Sequence, residues 1–112
     1  MHNRRVIYKF KSKASGDIIM MGPTGDTLLR AIGREPAAKG IIDAAAMPAA
    51  IAAIDQAVAA DEAARAEAER EAAAQGQRLA PRDGVGLRQR LWPMRDMLQR
   101  ASAAGEPVVW GV

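Results

Sequence analysis

VIYKFKSKASGDIIMMGPTGDTLLRAIG, residues 6–33, is the stretch that decides the fold, because it predicts a strand, a turn, a second strand, another turn and a helix in that order. Residues 5–11 alternate in polarity, as a strand with one buried face requires. Val6, Tyr8 and Phe10 point one way, and Ile7, Lys9 and Lys11 point the other.

The second strand is predicted over residues 17–21, after the polar connection SKASG, which has an ordinary hairpin length. The expected register pairs Phe10 with Ile18 and Tyr8 with Met20, which gives the hairpin one apolar face. The opposite face carries Ile7, Ile19 and Met21 among lysines. That face is too apolar to be left wholly in water, so we expect a loop, a helix or another subunit to contact it.

A short helix follows the second strand. Gly22 and Pro23 are a turn signal, and Thr24 is predicted to be the N-cap of the helix. Gly33 followed by Pro36 predicts its end. Its apolar face consists of Leu28, Leu29 and Ile32.

The GPTGDT segment only loosely resembles a phosphate-binding loop. Such loops use a lysine to contact phosphate oxygens, whereas Asp26 occupies the equivalent place here. Asp26 suits instead the positive end of a helix dipole. An ordinary capped turn is therefore the preferred interpretation.

The second helix is predicted from the spacing of Met47, Ile51, Ile54 and Val58. Pro48 falls in its first turn, where proline is accepted, and Ile41 and Ile42 are assigned to a short link before it. Residues 59–76 keep a high helix propensity but offer nothing larger than alanine to bury. We therefore expect residues from about 59 to 84 to be a solvated helical extension and loop, with a weak alanine-faced coiled coil as the alternative.

The third helix has the cleanest apolar stripe of the chain, at i, i+4, i+7, i+11 and i+14. The stripe consists of Leu87, Leu91, Met94, Leu98 and Ala101. Pro93 removes one backbone hydrogen bond within it, which predicts a kink near residues 89–92 and places Trp92 beside the stripe. Gly105 and Pro107 predict the end of the helix. The last residues predict a strand with Val108, Trp110 and Val112 on one face.

The composition indicates one domain, residues 1–112. Hydrophobic residues make up 49% of the 112 residues, but 25 of them are alanines, so the large apolar side chains suffice for a single core. The absence of cysteine excludes disulfides, thiolate metal sites and cysteine nucleophiles. No signal-peptide pattern and no apolar run near the ~18 residues of a membrane span occurs, so the expectation is a soluble cytoplasmic protein without membrane contact.

Charge is distributed unevenly along the chain, whose net charge is +3. Residues 1–16 contain five bases and no acid, residues 55–71 contain six acids and two arginines, and residues 75–105 contain six arginines and two acids. Such asymmetry can mark a surface for nucleic acid or an acidic partner. The acidic middle can equally neutralise its own neighbours, and ordinary solvated faces are the preferred interpretation.

Together these elements predict an α+β fold. The N-terminal hairpin and the C-terminal strand form a small three-stranded sheet packed with three helices. Because the second strand leads directly into a helix, the C-terminal strand is placed beside the first, which gives the order 2-1-3. Its direction, parallel or antiparallel, stays open.

Three parts of the chain resemble a small bacterial family known as domain of unknown function 1840. They are YKFKSKASGDIIMMGPTGDTLLRAIG, EPAAKGII with AAMPAAIAAI, and GLRQRLWPMRDMLQRASAAGEPVVWGV. The motifs are specific as a set, although none is a chemical signature, and they cover nearly everything except residues of about 59–78. The resemblance implies a compact, single-domain cytoplasmic protein with no assigned activity, and it supplies no functional residues.

No arrangement of residues typical of an active site is present. The only histidine, His2, lies at a terminus, and the acids have no spacing suited to a metal ion. We therefore assign no catalytic, cofactor-binding or metal-binding residue and expect no cofactor. An enzyme is the least favoured class.

A nucleic-acid-binding or regulatory role is the alternative hypothesis. It would use hairpin lysines together with arginines of the last helix, provided that the fold brings both onto one side. The candidate anion or nucleic-acid patch consists of Lys13, Arg88, Arg90 and Arg95, assisted by Lys9 and Lys11. Against it, the sequence has no helix-turn-helix glycine pattern, no zinc site and no aromatic platform, and lysines on an open strand also keep a sheet edge soluble.

The preferred hypothesis is a non-enzymatic protein-interaction module, with self-association as one possible form. It rests on a surplus of apolar side chains, Val109 among them, that cannot all face one thin core. The candidate partner surface consists of Ile7, Lys9, Lys11, Ile19, Met21 and Trp92. In the alternative interpretation, helices on both sheet faces cover these residues within the monomer.

Overall fold

The structure, a computed structural model, describes residues 7–82 and 84–112. The predictions that involve His2, Val6 and the start of the first strand at residue 5 lie outside the described residues. The elements are, in chain order, β1 (Ile7–Ser12), β2 (Ser15–Met21), α1 (Gly22–Ala31), β3 (Gly40–Ile42), a single 3-10 turn (Ala44–Ala46), α2 (Met47–Ala74), α3 (Leu87–Ala104) and β4 (Val108–Trp110).

The strands form one antiparallel sheet in the order β2-β1-β4-β3. The α+β class, the three helices and the position of the C-terminal strand beside β1 are confirmed, and β4 runs antiparallel to β1. The prediction of three strands is wrong, because Gly40–Ile42, assigned to a link, pairs with β4 as an edge strand. Three residues are too few to show a strand period.

The hairpin has the expected register, with Tyr8 opposite Met20 and Phe10 opposite Ile18. Its turn is shorter than the five residues expected, because the strands extend to Ser12 and Ser15. A β-bulge between Phe10 and Ser12 absorbs the irregular register close to the turn.

Helix α1 begins directly after β2, with Met21 in the N-cap position. Thr24 is therefore not the N-cap, and no side chain caps this helix. Pro23 explains the early start, since its fixed φ angle suits the first helical turn. The predicted end is confirmed, because Gly33 takes a φ of +84° and Arg34 donates its backbone N–H to Leu29 at 2.8 Å.

Helices α1 and α3 pack on the sheet face that carries Tyr8 and Phe10, and α2 packs against both helices, so that all three contribute to one core. The helical stripes predicted for α2 and α3 are confirmed, since their members are buried or packed against the core. Pro93 lies inside α3, and Gly105, with a φ of +68°, follows its last residue. The core consists of Tyr8, Phe10, Met20, Leu28, Leu29, Ile42, Met47, Ala50, Ile54, Val58, Leu91, Met94, Met97, Leu98, Ala101, Val108 and Trp110.

One detail of the chain's end departs from expectation. Val108 and Trp110 are buried, but Val112 is 72% exposed and does not share their face. The cause is Gly111, whose φ of +77° turns the chain at the point where a Cβ would lie 2.3 Å from the carbonyl oxygen of Ala38. The neighbouring Trp110 donates its indole N–H to the carbonyl oxygen of Ala37 at 3.0 Å.

Candidate functional site

The sheet has a second face that no described helix covers, which we call the open face. Its residues alternate along the strands with the core residues, so they point away from the helices. They are Ile7, Lys9, Lys11, Asp17, Ile19, Met21, Ile41 and Val109. Four of them are large apolar side chains with high exposure: Ile19 63%, Met21 62%, Ile7 45% and Ile41 44%.

The apolar residues of the open face form two clusters. In the first, Ile7 lies opposite Met21, and Ile19 lies on the same face of β2, two residues before Met21. In the second, Val109 pairs with Ile41 across β4 and β3. The lysines of β1 lie between the two, since Lys9 is opposite Ile19 and Lys11 is opposite Val109.

The open face carries more positive than negative charge. Lys9 places its Nζ atom 3.7 Å from a carboxylate oxygen of Asp17, and both side chains are about half exposed, so this ion pair is weak. Lys11 donates to the main-chain oxygen of Val112 at 3.1 Å. The long stems of both lysines can lie along the apolar surface while their ammonium groups remain in water.

Trp92 does not lie on the open face. It is on α3, on the helical side of the sheet, where it is 37% exposed. The guanidinium carbons of Arg88 and Arg95 lie 4.8 Å and 4.7 Å from its ring centroid. Trp92 is thus held between two arginines in a cation–π arrangement at the contact of α2 with α3.

The same arginines form forked ion pairs with α2. Arg88 donates to both carboxylate oxygens of Glu62 at 2.8 Å and 3.0 Å, and Arg95 donates to those of Asp55 at 2.6 Å and 3.0 Å. These hydrogen bonds lower the pKa values of Asp55 and Glu62 and raise the pKa values of the two arginines. Both guanidinium groups are therefore already matched to carboxylates.

The residues of the candidate nucleic-acid patch are not brought together with the hairpin lysines on one surface. Lys9 and Lys11 lie on the open face, whereas Arg88 and Arg95 lie at the contact of the helices on the other side of the sheet. Lys13 is in the hairpin turn. Arg90 is half-buried, and its buried Nε atom has no hydrogen-bond partner among the described atoms.

A surface groove of about 290 Å³ lies beside this contact. Two contacts beside the groove fasten the loop after α2 to that helix: Arg82 forms an ion pair with Asp61 at 3.1 Å, and Arg65 donates a hydrogen bond to the carbonyl oxygen of Ala80 at 2.8 Å. Within residues 7–82 and 84–112, no three His, Cys, Asp or Glu side chains are grouped so that they could hold a metal ion. None of the helices in that part of the chain is both long and apolar enough to span a membrane.

Sequence reasoning named Ile7, Lys9, Lys11, Ile19, Met21 and Val109, which share the open face, but it missed Ile41. The sequence pattern assigns Ile41 and Ile42 together to a link, whereas Ile41 faces water and Ile42 is buried. The structure shows why Gly40 precedes them: a Cβ there would lie 2.3 Å from the ring of Trp110, a contact that the sequence alone does not show. A glycine that admits an aromatic ring is typical of close strand packing.

The chain matches a known protein family. A family model with the description Domain of unknown function (DUF1840) matches residues 6–110. No curated protein and no solved structure matches the chain.

Proposed function

The chain belongs to the DUF1840 family, whose description gives no activity, and we therefore propose a function from its surface. We propose that this is a non-enzymatic interaction module of the bacterial cytoplasm, which binds a protein partner through the open face. A cysteine-free chain is compatible with that reducing compartment.

The observation that carries the proposal is the exposure of four large apolar side chains on one sheet face. Scattered exposed apolar residues are ordinary, but several large ones grouped on one uncovered sheet face typically mark a binding surface. Covering a large apolar side chain completely contributes roughly 1.5–3 kcal/mol relative to leaving it in water. Each of the four residues is already partly buried, so a partner that covers its exposed fraction gains a part of that free energy.

The rigidity of the opposite face also supports the proposal. Tyr8 and Phe10 stack with ring centroids 5.6 Å apart, and Trp110 packs on Phe10 at 5.5 Å. A packed aromatic layer thus supports the backbone of the open face, so little backbone conformational entropy would be lost when a partner binds. A preformed apolar surface of this kind suits recognition.

Site-specific photo-crosslinking in the host cell tests the proposal. We expect benzoylphenylalanine in place of Ile19 to capture a defined protein, and the same group in place of Val85, an exposed residue in the loop before α3, to capture none. Adding Met21→Lys should abolish the capture at position 19, because a charge then replaces an apolar contact. Equal capture at positions 19 and 85, or capture insensitive to Met21→Lys, would refute the proposal.

A further inference from the structure

We infer that the partner on the open face is an acidic amphipathic helix of another protein and not a second copy of this chain. This inference rests on the proposed function and specifies the partner at the same surface. Three properties of the open face support it: its size, its charge and the spacing of its two apolar clusters.

The open face is small for a homodimer interface. Four strands spaced by about 4.8 Å give a width of about 19 Å, and the strands run from about 23 Å for β2 to about 10 Å for β3 and β4. The projected area is therefore about 300 Å², so a standard interface, which buries about 800 Å² of accessible surface on each partner, would have to extend beyond the sheet. A single helix, about 10–12 Å wide, matches a surface of this size.

The charge of the open face opposes face-to-face pairing of two copies. Lys9 and Lys11 lie on the central strand β1, so two facing copies would enclose four lysines near the middle of the interface. Asp17 would supply only one carboxylate per copy. Taking unbalanced charges out of water is costly, whereas glutamates or aspartates of a partner would balance them.

The spacing of the apolar clusters suits a helix that crosses the strands. Ile19 and Met21 lie on β2, and Ile41 lies three strands away on β3. The separation along the sheet is about 15–20 Å, which corresponds to about three helical turns. A helix with apolar residues near i, i+4 and i+11 would contact both clusters, and acidic residues between them would reach Lys9 and Lys11. Such a helix would add a third layer to the fold.

Selection from a display library of helical 18-residue peptides tests the inference. The library holds leucine at i, i+4 and i+11 and varies the remaining positions among Glu, Lys, Gln and Ala. We expect the folded full-length protein to enrich peptides with excess glutamate. Binding of an enriched peptide, measured by fluorescence anisotropy, should weaken at least tenfold in Ile19→Lys and in the Lys9→Glu/Lys11→Glu variant, and less than twofold in the turn variant Lys13→Glu.

Each other outcome has a defined meaning. Enrichment of basic peptides, no enrichment, or enrichment that Ile19→Lys does not reduce would overturn the inference. A dimer in light scattering that Ile19→Lys converts to monomer would also overturn it, while leaving the proposed function intact with a second copy as the partner. A monomer that enriches no peptide and captures nothing from position 19 would refute both.

Discussion

At the scale of single residues, Gly25 shows how closely α1 approaches the sheet. The helix backbone crosses the ring of Tyr8, where a Cβ on Gly25 would lie 2.0 Å from Cδ2. The ring has little room to move, because it stacks on Phe10 and its hydroxyl donates to the carboxylate of Asp26. The close approach therefore requires glycine.

We expect Gly25→Ala to destabilise the protein. Alanine favours a helix interior over glycine by about 1 kcal/mol, but overpacking a rigid core costs about 1–3 kcal/mol and can cost more. At 2.0 Å the overlap is severe, so the clash should outweigh the gain in helix propensity. Urea denaturation should show a lower midpoint.

The matched control for this change is Gly16→Ala in β2, because no atom lies within 4 Å of its Cβ position. Its free energy of unfolding should stay within about 0.5 kcal/mol of the wild type. An unchanged midpoint for Gly25→Ala would mean that α1 does not approach Tyr8 as closely as the structure indicates.

Residue by residue, the sequence predicted the face on which each hairpin side chain lies, because period-two alternation is a local property. It could not predict why Gly25 is a glycine. The sequence pattern assigns no particular role to Gly25, but Gly25 lies within α1 and is required by an aromatic ring seventeen positions earlier. Such a requirement arises from packing between distant residues and leaves no local pattern.

At the scale of elements, α2 and α3 are joined by ion pairs as well as by apolar packing. Arg95 reaches Asp55 forty residues away, and Arg88 reaches Glu62 twenty-six residues away. The apolar stripes of both helices could be predicted from spacing alone. The partners of the arginines could not, because a charge count along the chain does not say which side chains meet.

These pairs should make stability depend on pH. Arg95 and Arg88 hold the pKa values of Asp55 and Glu62 below their usual 3.8 and 4.5 in the folded state. The stabilisation is therefore present above those values and is lost as the pH falls through the lower pKa values of the folded state. We expect the destabilisation caused by Arg88→Gln/Arg95→Gln to be largest at pH 7 and to shrink between about pH 5 and pH 2.

Urea midpoints of wild type and double variant at several pH values measure this difference. Part of it should persist in acid, because both arginines also contact Trp92 and that contact does not titrate. Arg100→Gln is the control, since Arg100 pairs with Asp96 within α3 and joins no second element. A wild-type advantage that stays constant down to the lowest pH would show that the ion pairs do not stabilise the contact.

At the scale of the whole molecule, a small two-layer body is combined with a long projecting helix. The radius of gyration is 16.2 Å, against about 13 Å for a compact domain of this length. Helix α2 accounts for the difference, because its 28 residues span about 42 Å and its last buried residue is Val58. The sequence predicted a helix without a core beyond that point, since only alanines and charged residues follow.

We expect that residues 66–79, the part of α2 and the following loop that projects from the core, can be removed without loss of the fold. Arg65 donates to the carbonyl oxygen of Ala80 at 2.8 Å, so these two residues are close enough for a short linker to join the chain. Replacing residues 66–79 by Gly-Ser-Gly keeps Asp61, Glu62 and their arginine partners. We expect cooperative urea unfolding with a free energy within about 1 kcal/mol of the full chain and a radius of gyration, from small-angle scattering, below 16.2 Å.

The variant Ile54→Ala in the full-length chain serves as the comparison, because it shows how much the free energy of unfolding falls when a buried side chain of α2 is removed. Removing that fully buried side chain should cost about 2–5 kcal/mol, because it leaves a cavity in the core. The truncation should cost far less, since none of the deleted residues belongs to the buried core. If the truncated chain instead lost as much stability as Ile54→Ala, residues 66–79 would be part of the cooperative core.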